Sequence, residues 1–211
     1  MDNTDRTYIT SRGNCLETDI MQYGIIVGMK FTNKKVLVGV TGGIATYKSC
    51  SLVNALISQG AEVRVVMTDN AKKFVSAHTF QVLTNHPVYD DLWRPVDQNT
   101  VEHISLAHWP DVIVIAPATA NTISKIALGM ADNLLTTVIL ASLPKTKIVI
   151  APAMNTNMWE NPLVQKNIKV LQEMSKFIFV EPRSGVLACR DEGKGKIAEN
   201  DDIIKILESA I

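Results

Sequence analysis

A chain of 211 residues is long enough to bury one substantial core, and its composition marks no second unit of comparable size. The 21 basic and 21 acidic residues give a formal net charge of zero. No overall field therefore attracts nucleic acid or an anionic membrane. The cysteines, Cys15, Cys50 and Cys189, form no C-x-x-C pair and leave an odd thiol. This argues against a disulfide framework or a thiolate zinc site and favours a reducing cytoplasm.

The first 30 residues differ in character from the rest of the chain. Residues 1–22 are polar and lack helical or strand periodicity. Residues 23–31 are the most apolar early stretch, but they are too short to span a bilayer and show no targeting pattern. We therefore predict a flexible N-terminal extension over residues 1–30 and one folded domain over residues 31–211.

From residue 34 onward, strand-like and helix-like segments alternate, which predicts an α/β fold with a parallel sheet and helices on its faces. Strands are predicted at 35–40, 62–67, 112–116, 147–150 and 177–180. Helices are predicted at 44–58, 121–129, 133–142, 161–175 and 201–210. Residues 85–100 contain prolines and several Asp and Asn residues, so they are predicted to form a surface loop or lid.

Three of these strands are followed by unusual polar or glycine-containing segments. The runs 36–40, 112–115 and 148–150 are short, β-branched and bounded by Gly or Pro, as expected for strands buried on both faces. The segments at 40–44, 116–122 and 151–159 follow them. In an open parallel sheet the carboxyl ends of strands form the ligand-binding edge, so the three segments predict one site for a sizeable cofactor.

The first segment contains Gly42 and Gly43 between a strand and a helix. Two glycines let backbone N–H groups approach an anion beside a helix N-terminus, which favours a phosphate-bearing cofactor, although they also serve in ordinary tight turns. Neither G-x-G-x-x-G nor G-x-x-x-x-G-K-[ST] is present. In the second segment Thr119, Asn121 and Thr122 supply groups for helix capping or for phosphate contacts.

The third segment places Asn155 beside Met154, Met158 and Trp159. An amide in such a setting can donate to a carboxylate, while the apolar side chains exclude water and lie against a flat ring. The alternative is a helix N-cap with core methionines, which fits Asn157 better than the whole string.

Two further residue types suit proton transfer. His103 precedes the strand that leads to the second segment, and it is a candidate acid or base; His108 competes with it, and a purely structural histidine is the other alternative. Cys189 lies in the glycine-rich, charged stretch 184–196, which resembles a flap. Neighbouring Arg190 favours a thiolate and burial opposes it, so no direction of pKa change is predicted for this thiol.

These motifs occur together, as TGGIA, HISL, PATANT, PAMNTNMW and LAC, in one order along residues 34–200. In this combination the chain resembles the flavin-dependent cysteine decarboxylases. Among them it is most similar to those that act on 4′-phosphopantothenoylcysteine in coenzyme A biosynthesis. The resemblance implies a three-layer, flavodoxin-like or Rossmann-like sandwich. It also implies assembly as a homotrimer or a dodecamer of trimers, with FMN near the subunit contacts.

The resemblance also assigns site residues. FMN would be lined by Gly42, Gly43, Ile44, Thr68, Asp69, Asn70, Thr119, Ala120, Asn121, Thr122 and Ala153. His103 would be the essential acid or base, and Asn155 would hold the substrate carboxylate with Met158 nearby. Val186, Leu187 and Ala188 would clamp the pantetheine side, and Cys189 would donate the final proton.

The chemistry implied by the resemblance needs no metal. FMN takes two electrons from the cysteinyl group, carbon dioxide leaves the resulting thioaldehyde, and the ene-thiol product is then reduced and protonated. The product would be 4′-phosphopantetheine, with no net redox change.

Two positions depart from the family pattern. The family commonly has Gly-Ser where this chain has Gly42 and Gly43, and commonly has Gly after the flap cysteine, where Arg190 stands here. We expect flavin affinity or flap closure to be affected. Many bacterial relatives carry a fused ligase domain, which these 211 residues do not contain. A separate phosphopantothenoylcysteine synthetase is therefore also expected in the pathway.

Three alternatives share the architecture. A peptidyl-cysteine decarboxylase of lantibiotic maturation has the histidine and asparagine but lacks the flap cysteine. A non-catalytic regulatory flavoprotein would not need His103, Asn155 and Cys189 together. Flavin prenyltransferase relatives lack the PAMNTNMW string. The residues of this chain therefore favour the coenzyme A reaction, although the fold alone would not separate these classes.

Overall fold

The computed structural model describes residues 29–93, 102–186, 188, 190 and 192–211. Residues 1–28, which make up nearly all of the predicted extension, lie outside this set. So do Leu187 and Cys189 in the predicted flap, and residues 94–101.

A six-stranded parallel sheet forms the centre of the described structure. Its strands are β1 (Lys35–Val40), β2 (Glu62–Met67), β3 (Val88–Tyr89), β4 (Val112–Ala118), β5 (Lys147–Pro152) and β6 (Phe177–Phe179). The spatial order is β3-β2-β1-β4-β5-β6, the doubly wound order of Rossmann-type sheets. The predicted α/β fold with a parallel sheet is therefore confirmed.

Helices cover both faces of this sheet. The elements are α1 (Thr46–Ser58), α2 (Ala77–Thr84), α3 (Glu102–His108), α4 (Ala120–Ala127), α5 (Leu134–Ala141), α6 (Thr156–Glu160), α7 (Pro162–Gln172) and α8 (Asn200–Ala210). One core cluster joins the sheet to α1, α2 and α8, through side chains such as Leu52, Phe80 and Leu207. The other joins it to α3, α4, α5 and α7. These three layers form the predicted sandwich. In the described ranges, no helix combines the length and apolar character needed to cross a membrane.

A small antiparallel hairpin follows the sheet. Its strands are β7 (Arg183–Val186) and β8 (Glu192–Lys196), with a register shift at Ser184. This hairpin occupies the stretch in which the sequence predicts a flap.

The predicted loop at residues 85–100 is wrong in one part, because Val88 and Tyr89 pair with Val65 and Val66 of β2 as a short edge strand. Two residues are too few to show a strand pattern, and the neighbouring strand supplies the hydrogen bonds. Helices α2 and α3 were not predicted either. Strands β1 and β2 match their predicted bounds.

Candidate functional site

The carboxyl ends of β1, β4 and β5 lie side by side, because these strands are neighbours in the sheet. The loops that follow them converge at this edge, where the strand order reverses between β1 and β4. A cavity of about 1040 Å³ opens there, and the hairpin contributes to its lining. This volume accommodates a ligand of cofactor size.

The loops after β1 and β4 are tied together by Thr41, which is buried. Its Oγ1 donates to the carbonyl oxygen of Pro117 at 2.7 Å and accepts from the backbone N–H of Thr119 at 3.1 Å. Ser49 of α1 adds a buried hydrogen bond to the carbonyl oxygen of Ala116 at 2.7 Å. Because these contacts join the loop after β1 and helix α1 to the end of β4, the two loops form one fixed wall of the cavity.

Gly42 is required for the close packing of this wall. A Cβ added there would lie 2.4 Å from Cβ and 2.6 Å from the carbonyl carbon of Asn70. At Gly43 the nearest atom to an added Cβ is Cγ2 of Thr119, at 3.7 Å. The absence of a side chain at Gly42 therefore lets Asn70 pack against the turn after β1. Gly43, in contrast, has room for the serine that the family commonly has at this position.

The hydroxyl groups of Thr119 and Thr68 beside the cavity differ in their partners. Thr119 is the N-cap of α4, and its Oγ1 accepts from the backbone N–H of Thr122 at 3.4 Å. Thr68 Oγ1 is buried and has no hydrogen-bond partner in the described structure. Since a buried hydroxyl without a partner is costly, Thr68 is a ready contact for a polar group in the cavity.

Asn155 lines the same cavity and is the N-cap of α6. Its Oδ1 accepts from the backbone N–H of Met158 at 2.8 Å. The N-cap is therefore Asn155, and not Asn157, the residue that the alternative N-cap interpretation fitted better. The cap fixes the oxygen and leaves the Nδ2 donor without a partner among the described residues. Asn155 and Met158 are both exposed and both line the cavity.

The hairpin reaches this edge through two glycines of β8. The backbone N–H of Met154 donates to the carbonyl oxygen of Gly195 at 3.0 Å. A Cβ at Gly195 would lie 2.3 Å from the carbonyl oxygen of Met154, and one at Gly193 would lie 2.3 Å from Oγ1 of Thr156. The absence of side chains at both positions is therefore what lets the hairpin dock on α6.

Charged side chains surround the cavity in pairs. Lys125 is bonded to Asp132, and this hydrogen bond holds the pKa of the Asp132 carboxyl below its ordinary value. Glu199 lies 3.6 Å from Lys48 Nζ and 3.3 Å from Arg183 Nη1. The charge of Lys48 is the largest cause of the lowered pKa of Glu199.

Most of the predicted site residues lie together in the lining. These are Gly42, Gly43, Ile44, Thr68, Asp69, Asn70, Thr119, Ala120, Asn121, Thr122, Ala153, Asn155, Met158, Val186 and Ala188. Leu187 and Cys189 lie outside the described residues. Binding by the residues of the lining stays a prediction.

His103 lies apart from these lining residues. It is half-buried in the first turn of α3, and it does not belong to the cavity lining of the single chain. His108, the competing candidate, is exposed at the other end of the same helix.

Several lining residues were not predicted. They are Ala45, Tyr47, Lys48, Lys125, Asp132, Asn133, Gly195, Lys196 and Ile197. Lys48 follows Ile44 by about one helical turn, so helical spacing could have placed it on the same face. The Lys196 position depends on the packing of the hairpin, which no local pattern shows.

The chain belongs to the family described as Flavoprotein, whose model matches residues 27–211. It is 46% identical over 176 residues to the coenzyme A biosynthesis bifunctional protein CoaBC of Bacillus subtilis, which covers 83% of this chain and 43% of the relative. The chain thus spans less than half the length of that relative.

A shorter relative matches nearly end to end. The probable phosphopantothenoylcysteine decarboxylase of Streptococcus mutans is 42% identical over 178 residues, which are 84% of this chain and 99% of that protein. Among solved structures, a mutant PPC decarboxylase complexed with pantothenoylaminoethenethiol matches with a TM-score of 0.75 and 34% identity. The match covers 83% of this chain and 97% of that one.

Proposed function

We propose that this protein is an FMN-dependent enzyme that decarboxylates 4′-phosphopantothenoylcysteine to 4′-phosphopantetheine in coenzyme A biosynthesis. The observation that carries the proposal is that the Gly42 turn, the Thr119 loop and the Asn155 cap line one and the same cavity. The likeness to two relatives named for this pathway or reaction supports it.

The residues present fit a flavin. The close contact of Gly42 with Asn70 leaves backbone, rather than a side chain, along the cavity wall. Thr68 Oγ1 is buried there without a partner in the described structure. The residues around Gly42, Thr68 and Thr119 would hold FMN, with backbone N–H groups and hydroxyls available to its polar groups. When bound, FMN supplies a reversible two-electron exchange with the cysteinyl group of the substrate.

The residues on the opposite side would hold the substrate. With its oxygen fixed by the backbone N–H of Met158, Asn155 presents Nδ2 as a hydrogen-bond donor for the carboxylate that is lost. A neutral amide binds this group without the stronger stabilisation that a cation would give, so the ground state is not held too tightly. Met158 and Val186 would exclude water from the reacting carbon, and Cys189 would donate a proton at the end of the reaction.

His103 would act across a subunit contact. Its position outside the lining of the single chain agrees with the trimeric or dodecameric assembly that the resemblance implies. Ile104, the next residue on α3, is an apolar side chain with 40% exposure, which suits a contact surface. In this arrangement a neighbouring copy brings its α3 to the cavity, and the imidazole would act as acid or base there.

A complementation experiment tests the shared site. We expect His103→Asn and Asn155→Asp proteins to be inactive separately, because each lacks one essential group. Subunits unfolded and refolded together should regain activity, since some mixed cavities would combine an intact His103 with an intact Asn155. A matched mixture of two His103→Asn preparations is the control. No recovery in correctly assembled mixed oligomers would contradict the shared site.

Substrate identity is tested by mass spectrometry of products. We expect the purified protein with FMN to release carbon dioxide from 4′-phosphopantothenoylcysteine and not from a peptide ending in cysteine. Release of carbon dioxide from the peptide alone would indicate a peptidyl-cysteine decarboxylase of peptide maturation. Release from neither substrate would favour a regulatory flavoprotein. We further expect a cytoplasmic location.

A further inference from the structure

Three pairs of charges account for most of the ionised groups around the cavity. Of the lining residues, Lys125 is paired with Asp132, Asp69 with Lys72 at 2.9 Å, and Lys48 with Glu199 at 3.6 Å. Each of these charges is thus largely compensated before a ligand arrives.

Lys196 is the exception. It is half-buried at the end of β8 and lines the cavity, and within the described ranges its ammonium has no ion-pair or hydrogen-bond partner. Its charge contributes to the lowered pKa of Glu199, but the contacts of that carboxylate go to Lys48 and Arg183. Among the described residues of the lining, Lys196 is therefore the cation without a direct ion-pair partner.

The hairpin fixes where this cation lies. Lys196 follows Gly195, whose carbonyl oxygen accepts from Met154, and its Cα is in register with that of Arg183 on β7. The backbone before Lys196 is thus tied to the cavity edge and Lys196 itself is paired within the hairpin, while its side chain has no direct partner in the described structure. A lysine whose backbone is fixed at this edge and whose ammonium has no direct partner there is suited to bind an anion that enters the cavity.

We propose that Lys196 is a specificity residue that recognises a phosphate monoester in the cavity, and this inference rests on the proposed function. Two phosphate monoesters would enter, the phosphate of FMN and the phosphate of the substrate. The substrate carboxylate is a poor alternative partner. A cation on that carboxylate would stabilise a charge that disappears on decarboxylation, which would raise the barrier, whereas a phosphate keeps its charge throughout.

The test compares each phosphorylated ligand with its unphosphorylated form, so that no turnover is needed. Flavin-free protein is titrated with FMN and with riboflavin by fluorescence. The FMN-loaded protein is titrated with 4′-phosphopantetheine and with pantetheine by calorimetry. The variants are Lys196→Gln and, as a matched control on the same strand, Lys194→Gln, whose side chain pairs with Glu181 at 2.7 Å and is not in the lining.

We expect Lys196→Gln to weaken the phosphorylated member of at least one pair by about tenfold or more and to leave its unphosphorylated partner within about twofold. The affected pair shows which phosphate Lys196 binds. Lys194→Gln should change neither comparison. If Lys196→Gln weakens both members of each pair equally, or weakens none, the inference is wrong. Failure of the proposed function would instead show as no carbon dioxide release by the wild-type protein.

Discussion

The two sides of the cavity are built in different ways. The wall formed by the loops after β1 and β4 is joined by buried hydrogen bonds through Thr41 and Ser49 to strands in the centre of the sheet. In the β7–β8 hairpin, strand β7 is mostly exposed and β8 is partly buried. The hairpin meets the body at Met154 and Thr156 through contacts that glycines permit. The first side is suited to hold a resident cofactor in fixed geometry, and the second to admit and cover a substrate.

The most damaging single change to the fixed wall should be Gly42→Ala. Its new methyl group would overlap Asn70, and the resulting overpacking should cost about 1–3 kcal/mol and greatly reduce FMN affinity. Flavin absorbance of the purified protein and chemical unfolding measure the two effects. Gly43→Ser is the matched control, since the nearest atom to its Cβ is 3.7 Å away. Normal flavin content in the Gly42→Ala protein would contradict this description of the wall.

Gly195→Ala should affect the other side. A side chain there would collide with the Met154 carbonyl at a backbone φ of +135°, so the hairpin should leave its docked position. We expect turnover to fall by more than tenfold while FMN binding stays near normal. Gly185→Ala, at φ +148° with nothing within 4 Å, carries backbone strain without a collision. If turnover falls to the same extent in both variants, backbone strain rather than loss of hairpin docking explains the effect.

Thr41→Val should weaken the bond between the two loops. It leaves the Pro117 carbonyl and the Thr119 N–H without their partner, at a cost of about 2 kcal/mol in the free energy of unfolding. Urea denaturation measures this loss. Thr41→Ser keeps the hydroxyl and should lose clearly less, and equal losses in the two variants would show that the methyl group, not the hydrogen bonds, matters.

The smallest effect should come from Glu199→Gln, which breaks a surface network between α1 and the hairpin. Because the folded pKa of Glu199 lies below its ordinary value, its contribution is present above that ordinary value and is lost as the pH falls through the folded one. We expect a difference of less than about 1 kcal/mol between variant and wild type at neutral pH. This difference in unfolding free energy should shrink in acid and in high salt. A difference that grows in acid would contradict the assignment.

The sequence predicted the central sheet well, because its strands are continuous apolar runs between Gly and Pro. Strands β1 and β2 needed no tertiary information for their bounds. Strand β3 was missed because two residues carry no periodicity and obtain their pairing from the edge of β2. Helix α3 was missed because its seven residues are too few for a clear helical pattern.

For the site, the sequence predicted which segments meet but not how they meet. The segments around Gly42, Thr119 and Asn155 were identified because each follows a buried strand. The choice between Asn155 and Asn157 as the cap depends on where α6 begins, which backbone geometry decides. Lys196 and Gly195 enter the site through hairpin docking, a long-range contact that neither residue type reveals.

A crystal structure of the protein with FMN and an unreactive carboxylate-bearing substrate analogue would show whether flavin and substrate share this cavity. We expect the flavin against the residues around Gly42, Thr68 and Thr119. We expect the analogue between the flavin and the hairpin, with its carboxylate within hydrogen-bond distance of Asn155 Nδ2. Flavin bound away from this cavity, or an analogue whose carboxylate lies elsewhere, would contradict this expectation.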